Sequence, residues 1–91
     1  MKVVLSRQAH LDLMAQISWL MSLSPRAARS AQQAIHTQLR TLAQFPAAGP
    51  SSESGEREWP IRFGRDGYVV VYRIEADRVV IGRIFHSRQD R

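Results

Sequence analysis

Two apolar segments, Tyr68-Val-Val-Val-Tyr-Arg-Ile74 and Arg78-Val-Val-Ile-Gly-Arg-Ile-Phe-His86, lie near the C-terminus with only Glu75-Ala76-Asp77 between them. β-Branched and aromatic residues dominate both, a composition that suits a pleated, buried backbone. The short polar spacer makes them a hairpin. With Ala76-Asp77 as the turn, Glu75 sits opposite Arg78, and period-two alternation assigns the faces. Tyr68, Val70, Tyr72, Ile74, Val79, Ile81, Arg83 and Phe85 fall on one face. Val69, Val71, Arg73, Val80, Gly82, Ile84 and His86 fall on the other. Both sets are mostly apolar, whereas an antiparallel sheet with one wet face alternates apolar with polar residues. This hairpin therefore calls for cover on both sides.

The N-terminal half supplies cover for one of them. Lys2 to Ser6 alternates and reads as a short strand, and Ser6 is placed to cap a helix from Arg7 to Leu23. Ala9, Leu13, Ile17, Leu20 and Met21 recur at helical spacing. Ser24-Pro25 restarts the pattern, with proline at a first helical position. Ala28, Ala31, Ile35, Leu39 and Leu42 form a second stripe that Pro46 closes. The alanines allow close approach, so the two helices are expected to form an antiparallel hairpin. Ala47 to Glu56 is a loop, Arg57 to Arg62 a short strand, and Phe63-Gly-Arg-Asp-Gly67 a turn. The order is β-α-α-β-β-β, an α+β fold in which an antiparallel sheet carries a two-helix hairpin on one face.

No helix remains for the second face. A large exposed apolar patch marks an interaction site, so the face around Trp59, Val69, Val71 and Arg73 is expected to meet a protein partner. The alternative is a modest error in the register, or a face of valines half-covered by Arg73 and Trp59.

Ninety-one residues fit a single domain, 1–91. A chain this short buries only roughly 60–65% of its unfolded surface, so support from a partner would matter to it. The absence of cysteine removes disulfides, thiol catalysis and cysteine zinc sites. Met1 to Leu5 is too short for the apolar part of a signal peptide, and the longest apolar run, Tyr68 to Tyr72, is far short of a membrane span. The expectation is a soluble, cytoplasmic protein without membrane contact.

Thirteen basic residues face eight acidic ones, and every basic residue except Lys2 is arginine. The planar guanidinium fork suits carboxylate or phosphate, so the excess points to nucleic acid, an acidic protein, or both. His10, His36 and His86 show no ligand spacing, and no metal site is expected. Nucleophile-elbow, glycine-rich nucleotide and paired-carboxylate patterns are missing too, so no cofactor is expected. What remains is the C-terminal group Arg83, His86, Arg88 and Arg91. Arginines beside an imidazole could stabilise a phosphorane-like transition state while the histidine moves a proton, giving metal-free RNA cleavage. The same residues could simply bind an acidic surface.

The stretch Gly67 to Asp90, with its valine-rich strand ending in Tyr72 and its closing Arg83-Ile-Phe-His86-x-Arg88-x-Asp90, resembles the C-terminal half of RelE/ParE toxins. Leu5-Ser6-x-x-Ala9-x-x-Asp12-Leu13 with Ile17, and Leu42-x-x-Phe45-Pro46-x-x-Gly49, extend the resemblance over nearly the whole chain. It implies the same β-α-α-β-β-β fold and a cognate antitoxin whose C-terminal segment wraps the toxin, with operator DNA reached only through that antitoxin. Two activities occur in such proteins. RelE-like members cut mRNA in the ribosome, and ParE-like members inhibit DNA gyrase. Ribonuclease members often carry an arginine directly after the residue matching His86 and a tyrosine further on. Here Ser87 follows His86, and no tyrosine follows Tyr72. The ending looks more like ParE. Under that reading Arg83, His86, Arg88 and Arg91 bind the target; under the other, Arg83, His86 and Arg88 are catalytic.

Overall fold

A serine opens each helix. In the computed structural model, which describes residues 1–88, β1 (Lys2–Leu5) runs into Ser6, whose hydroxyl accepts the Ala9 N–H at 3.0 Å and starts α1 (Arg7–Leu23). The same hydroxyl donates to the Gly82 carbonyl at 3.0 Å, so one side chain caps the helix and ties it to the sheet. Ser24 closes α1 through its N–H to Leu20 and opens α2 (Pro25–Gln44) by accepting the Ala27 N–H. Side-chain caps of this kind satisfy orphan amides at about 1 kcal/mol each. β2 (Arg57–Ile61), β3 (Tyr68–Glu75) and β4 (Arg78–His86) complete the expected order.

The strands lie in the order β1-β4-β3-β2. β2, β3 and β4 form the antiparallel meander read from the sequence, and Glu75 pairs with Arg78 across the turn as expected. β1 joins the far side of β4 in parallel, Val3 beside Val79 and Leu5 beside Ile81, so the sheet is mixed rather than antiparallel throughout.

The helical hairpin packs on one face, and the core sits between. Ala9, Ala28, Ala31, Ile35 and Leu42 from the helices meet Val70, Tyr72, Val79, Ile81 and Ile84 from the sheet, all buried. Leu13, Ile17, Leu20 and Leu39 line this core only in part. Met21, expected in the stripe, instead faces outward and is 46% exposed. Tyr72 is fully buried, and its hydroxyl donates to the Pro46 carbonyl at 2.8 Å while accepting the Gly49 N–H at 2.9 Å. That clasp turns the chain after α2. Gly49 has no room for a side chain, since a Cβ would lie 2.5 Å from the Glu58 carbonyl oxygen and 2.7 Å from the Tyr72 hydroxyl.

One irregularity rewrites the face assignment. Val71 pairs with Arg83 and Tyr72 with Ile81, leaving Gly82 as an extra residue in β4. A bulge reverses the facing of everything beyond it. Ile84 and His86 therefore join Val70 and Tyr68 on the helix side, while Arg83 and Phe85 move to the open side opposite Val71 and Val69. The strict alternation through Arg83, Ile84, Phe85 and His86 expected from the sequence is corrected here. Trp59 is corrected as well. It pairs with Val70 rather than sharing the face of Val69 and Val71, and its indole N–H donates to Gln38 of α2 at 2.9 Å.

Candidate functional site

Two surfaces concentrate the residues singled out by the sequence. The first is the face of the sheet opposite the helices. Val4 lies beside Val80 on β1 and β4, Val69 beside Phe85 and Pro60, and Val71 beside Arg83 and Glu58. Val4, Val69, Val71, Val80 and Phe85 are half-buried, although no helix covers them. Arg73 and Arg78 stand exposed at the margin. On the other flank Pro50, Ser51, Ser52, Glu56 and Glu58 enclose, with Val71, a depression of about 380 Å³. The face is thus an apolar strip with a cationic border on one side and an acidic one on the other. Of the expected partner-binding residues it carries Val69, Val71 and Arg73, and not Trp59.

The second surface is the end of β4. Trp19, Leu20, Phe63, Tyr68 and His86 line a shallow pocket of about 230 Å³, whose rim is the Gly64–Gly67 turn. Gly67 holds that turn with φ +86°, and a Cβ there would strike the Ile61 carbonyl. The Tyr68 ring stacks with Phe63 at 6.1 Å and meets the His86 ring edge-on at 5.9 Å. Burial pushes the Tyr68 phenol above its ordinary pKa, which keeps it neutral. Nδ1 of His86 lies 3.3 Å from the Arg88 backbone N–H, which donates to it. Arg88 makes a loose ion pair with Asp66 at 3.7 Å, with 70% of its side chain exposed.

Arg83 does not join this group. The bulge sends it to the open face, and its guanidinium lies 4.5 Å above the Phe85 ring and reaches Asp12 of α1 at the sheet edge. Nε donates to one carboxylate oxygen of Asp12 at 2.8 Å and Nη2 to the other at 3.2 Å. Asp12 also accepts the Ile84 N–H at 2.9 Å. The sequence reading missed this role for Asp12. The available signal was its isolation, since Asp12 is the only acidic residue before Glu53. Arg91 lies outside the described residues.

His10 and His36 are exposed on the helices and far in sequence from His86. Among the described residues no cluster of three His, Cys, Asp or Glu side chains could hold a metal ion. No helix among them is long and apolar enough to cross a membrane. Chemically, the β4 end offers one imidazole, aromatic walls and the exposed arginines Arg65 and Arg88. It can bind an anionic or planar group, and Asp66 lines the same pocket as His86.

Comparison with known proteins matches residues 3–91 to the family described as ParE toxin of type II toxin-antitoxin system, parDE. Two toxins of Caulobacter vibrioides are similar over 89 residues. Toxin RelE3 is 38% identical, the match covering 98% of this chain and 97% of the relative. Toxin RelE1 is 34% identical, with 98% and 96% covered. Among solved structures, a chain of the chromosomal ParDE toxin–antitoxin system from P. aeruginosa superposes with a TM-score of 0.77 at 27% identity, over 97% of each chain.

Proposed function

The chain belongs to the ParE toxin family of type II toxin–antitoxin systems, and on that premise we propose that it arrests growth by binding DNA gyrase and is silenced by a cognate antitoxin laid across its open sheet face. The separation of Arg83 from His86 carries the first half. Metal-free RNA cleavage needs a proton-transfer group and a fixed positive charge converging on one phosphate. Here the bulge at Gly82 puts these two side chains on opposite faces, and Asp12 occupies the guanidinium. A binding role asks for no such convergence. His86, Arg91 and Arg88, the last of them exposed, are then the contact residues for gyrase, in the cytoplasm where both proteins act.

The second half rests on the apolar strip of Val4, Val69, Val71, Val80 and Phe85, with Arg73 at its border. A partner with apolar side chains along its length and acidic residues over Arg73 and Arg78 would cover it. Such an antitoxin would also add stability to a small core by mass action.

One observation favours a second reading, mRNA cleavage on the ribosome. His86 sits in an aromatic pocket, and both Caulobacter relatives carry RelE names. The experiment that separates the readings measures gyrase supercoiling and cleavage of ribosome-bound mRNA with wild type and His86→Gln. The expected result is equal supercoiling inhibition by both proteins and no cut mRNA. Cleavage by wild type that drops about 10²–10⁴-fold in His86→Gln, with gyrase untouched, would replace the gyrase reading by the ribonuclease one.

A further inference from the structure

We propose that Asp12 and Arg83 form a clasp that positions the end of β4, with Arg83 acting through Asp12 rather than touching the toxin's target. This inference rests on the reading above, that the segment carrying His86 and Arg88 meets the target.

The sheet edge creates the need. β1 pairs only with Arg78 to Ile81, so past that point β4 has no strand on this side. Ser6 carries the contact one step further, its N–H to the Ile81 carbonyl at 2.8 Å and its hydroxyl to that of Gly82. Then the bulge intervenes and α1 takes over. An edge N–H that is partly buried needs an acceptor, and the Asp12 carboxylate supplies one to Ile84. A lone carboxylate at that depth is costly unless its remaining lone pairs are met. Arg83 meets both oxygens with two arms of its fork, and Gln8 adds a third side-chain donor at 3.0 Å. Phe85 supports the guanidinium from its far side. Every donor of the clasp thus comes from α1 or from β4 within two residues of Ile84.

Geometry separates the two arginines of the closing motif. The Arg83 guanidinium is bound on several sides, whereas Arg88 is exposed and held only loosely by Asp66. His86 lies two residues beyond Ile84 on the same face of the strand. Fixing the Ile84 N–H fixes the direction in which the last turn leaves the sheet.

The test is a double-variant cycle on the full chain, with Asp12→Ala, Arg83→Ala and the pair. Growth arrest on induction without antitoxin and supercoiling inhibition give the activity. Amide exchange at Ile84, with Val70 and Val79 as core controls, gives the clasp independently of any target. Asp12→Ala is expected to speed Ile84 exchange about 10- to 100-fold, the loss of a hydrogen bond to a charged group, with the controls unchanged. Both single variants should lose activity to a similar degree, and the pair should lose no more than either. Asp12→Asn, which keeps an acceptor for Ile84, should restore part of both readouts; it also serves if Asp12→Ala fails to fold. Activity retained in Asp12→Ala but lost in Arg83→Ala would overturn the proposal and make Arg83 a direct contact. Unchanged Ile84 exchange would overturn it also. If wild type arrests growth without inhibiting gyrase, the gyrase reading fails, while growth arrest and exchange still decide the clasp.

Discussion

The two faces of the central sheet are built from the same kinds of residue and live in different surroundings. Towards the helices, Val70, Tyr72, Val79, Ile81 and Ile84 are fully buried. On the opposite side Val4, Val69, Val71, Val80 and Phe85 remain half-exposed, bordered by Arg73, Arg78 and Glu58. Residue type does not distinguish these sets. What differs is cover: among the described residues two helices lie on one face and none on the other. A protein that keeps valine and phenylalanine on an uncovered face exposes surface that a partner would remove from water, at about 25 cal/mol per Å² before the costs of association.

The largest effect expected follows from the covered face. Leu42→Ala empties a fully buried position at the end of α2 and should cost about 2–5 kcal/mol by thermal or denaturant unfolding. Leu39, expected from the sequence to seal the same core, is only partly buried, so Leu39→Ala should cost less than Leu42→Ala. If the two substitutions cost the same, the helix face is less sharply divided from solvent than its packing indicates.

The open face should behave in the opposite way. Val71→Asp should cost the isolated toxin about 1 kcal/mol, the span of strand propensity, and so less than Leu42→Ala. Its affinity for antitoxin should fall by about 30-fold or more, the scale of a 2 kcal/mol hot spot. Saturating antitoxin should raise the wild-type melting temperature and raise that of Val71→Asp less. An antitoxin that binds wild type and Val71→Asp equally would break the comparison, leaving the apolar strip without a partner.

Much of this was legible in the sequence, and the failures have identifiable causes. The helix caps at Ser6 and Ser24, the Pro25 start and the Ala76-Asp77 turn are local features, each written in a few adjacent residues. Ala76 even adopts φ 54°, the left-handed conformation of a tight turn. The parallel partnership of β1 with β4 joins residues over seventy positions apart, and nothing local encodes it. Gly82 reads as an ordinary strand residue, yet the bulge at that position reverses the facing of Arg83, Ile84, Phe85 and His86. The candidate residues Arg83 and His86 therefore share a strand without sharing a face. Trp59 was misplaced because an indole suits either face, and its place is set by elements distant in sequence, the Gln38 amide and the core it packs against.

The smallest effect belongs to the edge where the two faces meet. Burial pushes the Asp12 carboxyl up, but hydrogen bonds from Arg83, the Ile84 N–H and Gln8, together with the Arg83 charge, outweigh it and hold the pKa below the ordinary 3.8. A carboxylate with a lower pKa folded than unfolded stabilises the fold at pH above its unfolded value. That contribution vanishes as pH falls through the folded value. Asp12→Asn keeps an acceptor for Ile84 and abolishes the titration. It should melt a few degrees below wild type at pH 7, with the gap closing as the pH falls below about 4. The gap stays small because 42% of the Arg83 side chain is exposed, and water screens the pair. A gap unchanged between neutral and acid pH would mean that the shape and acceptor capacity of the side chain hold this edge. The charge of Asp12 would then have no part in keeping Arg83 on the open face while His86 stays with the helices.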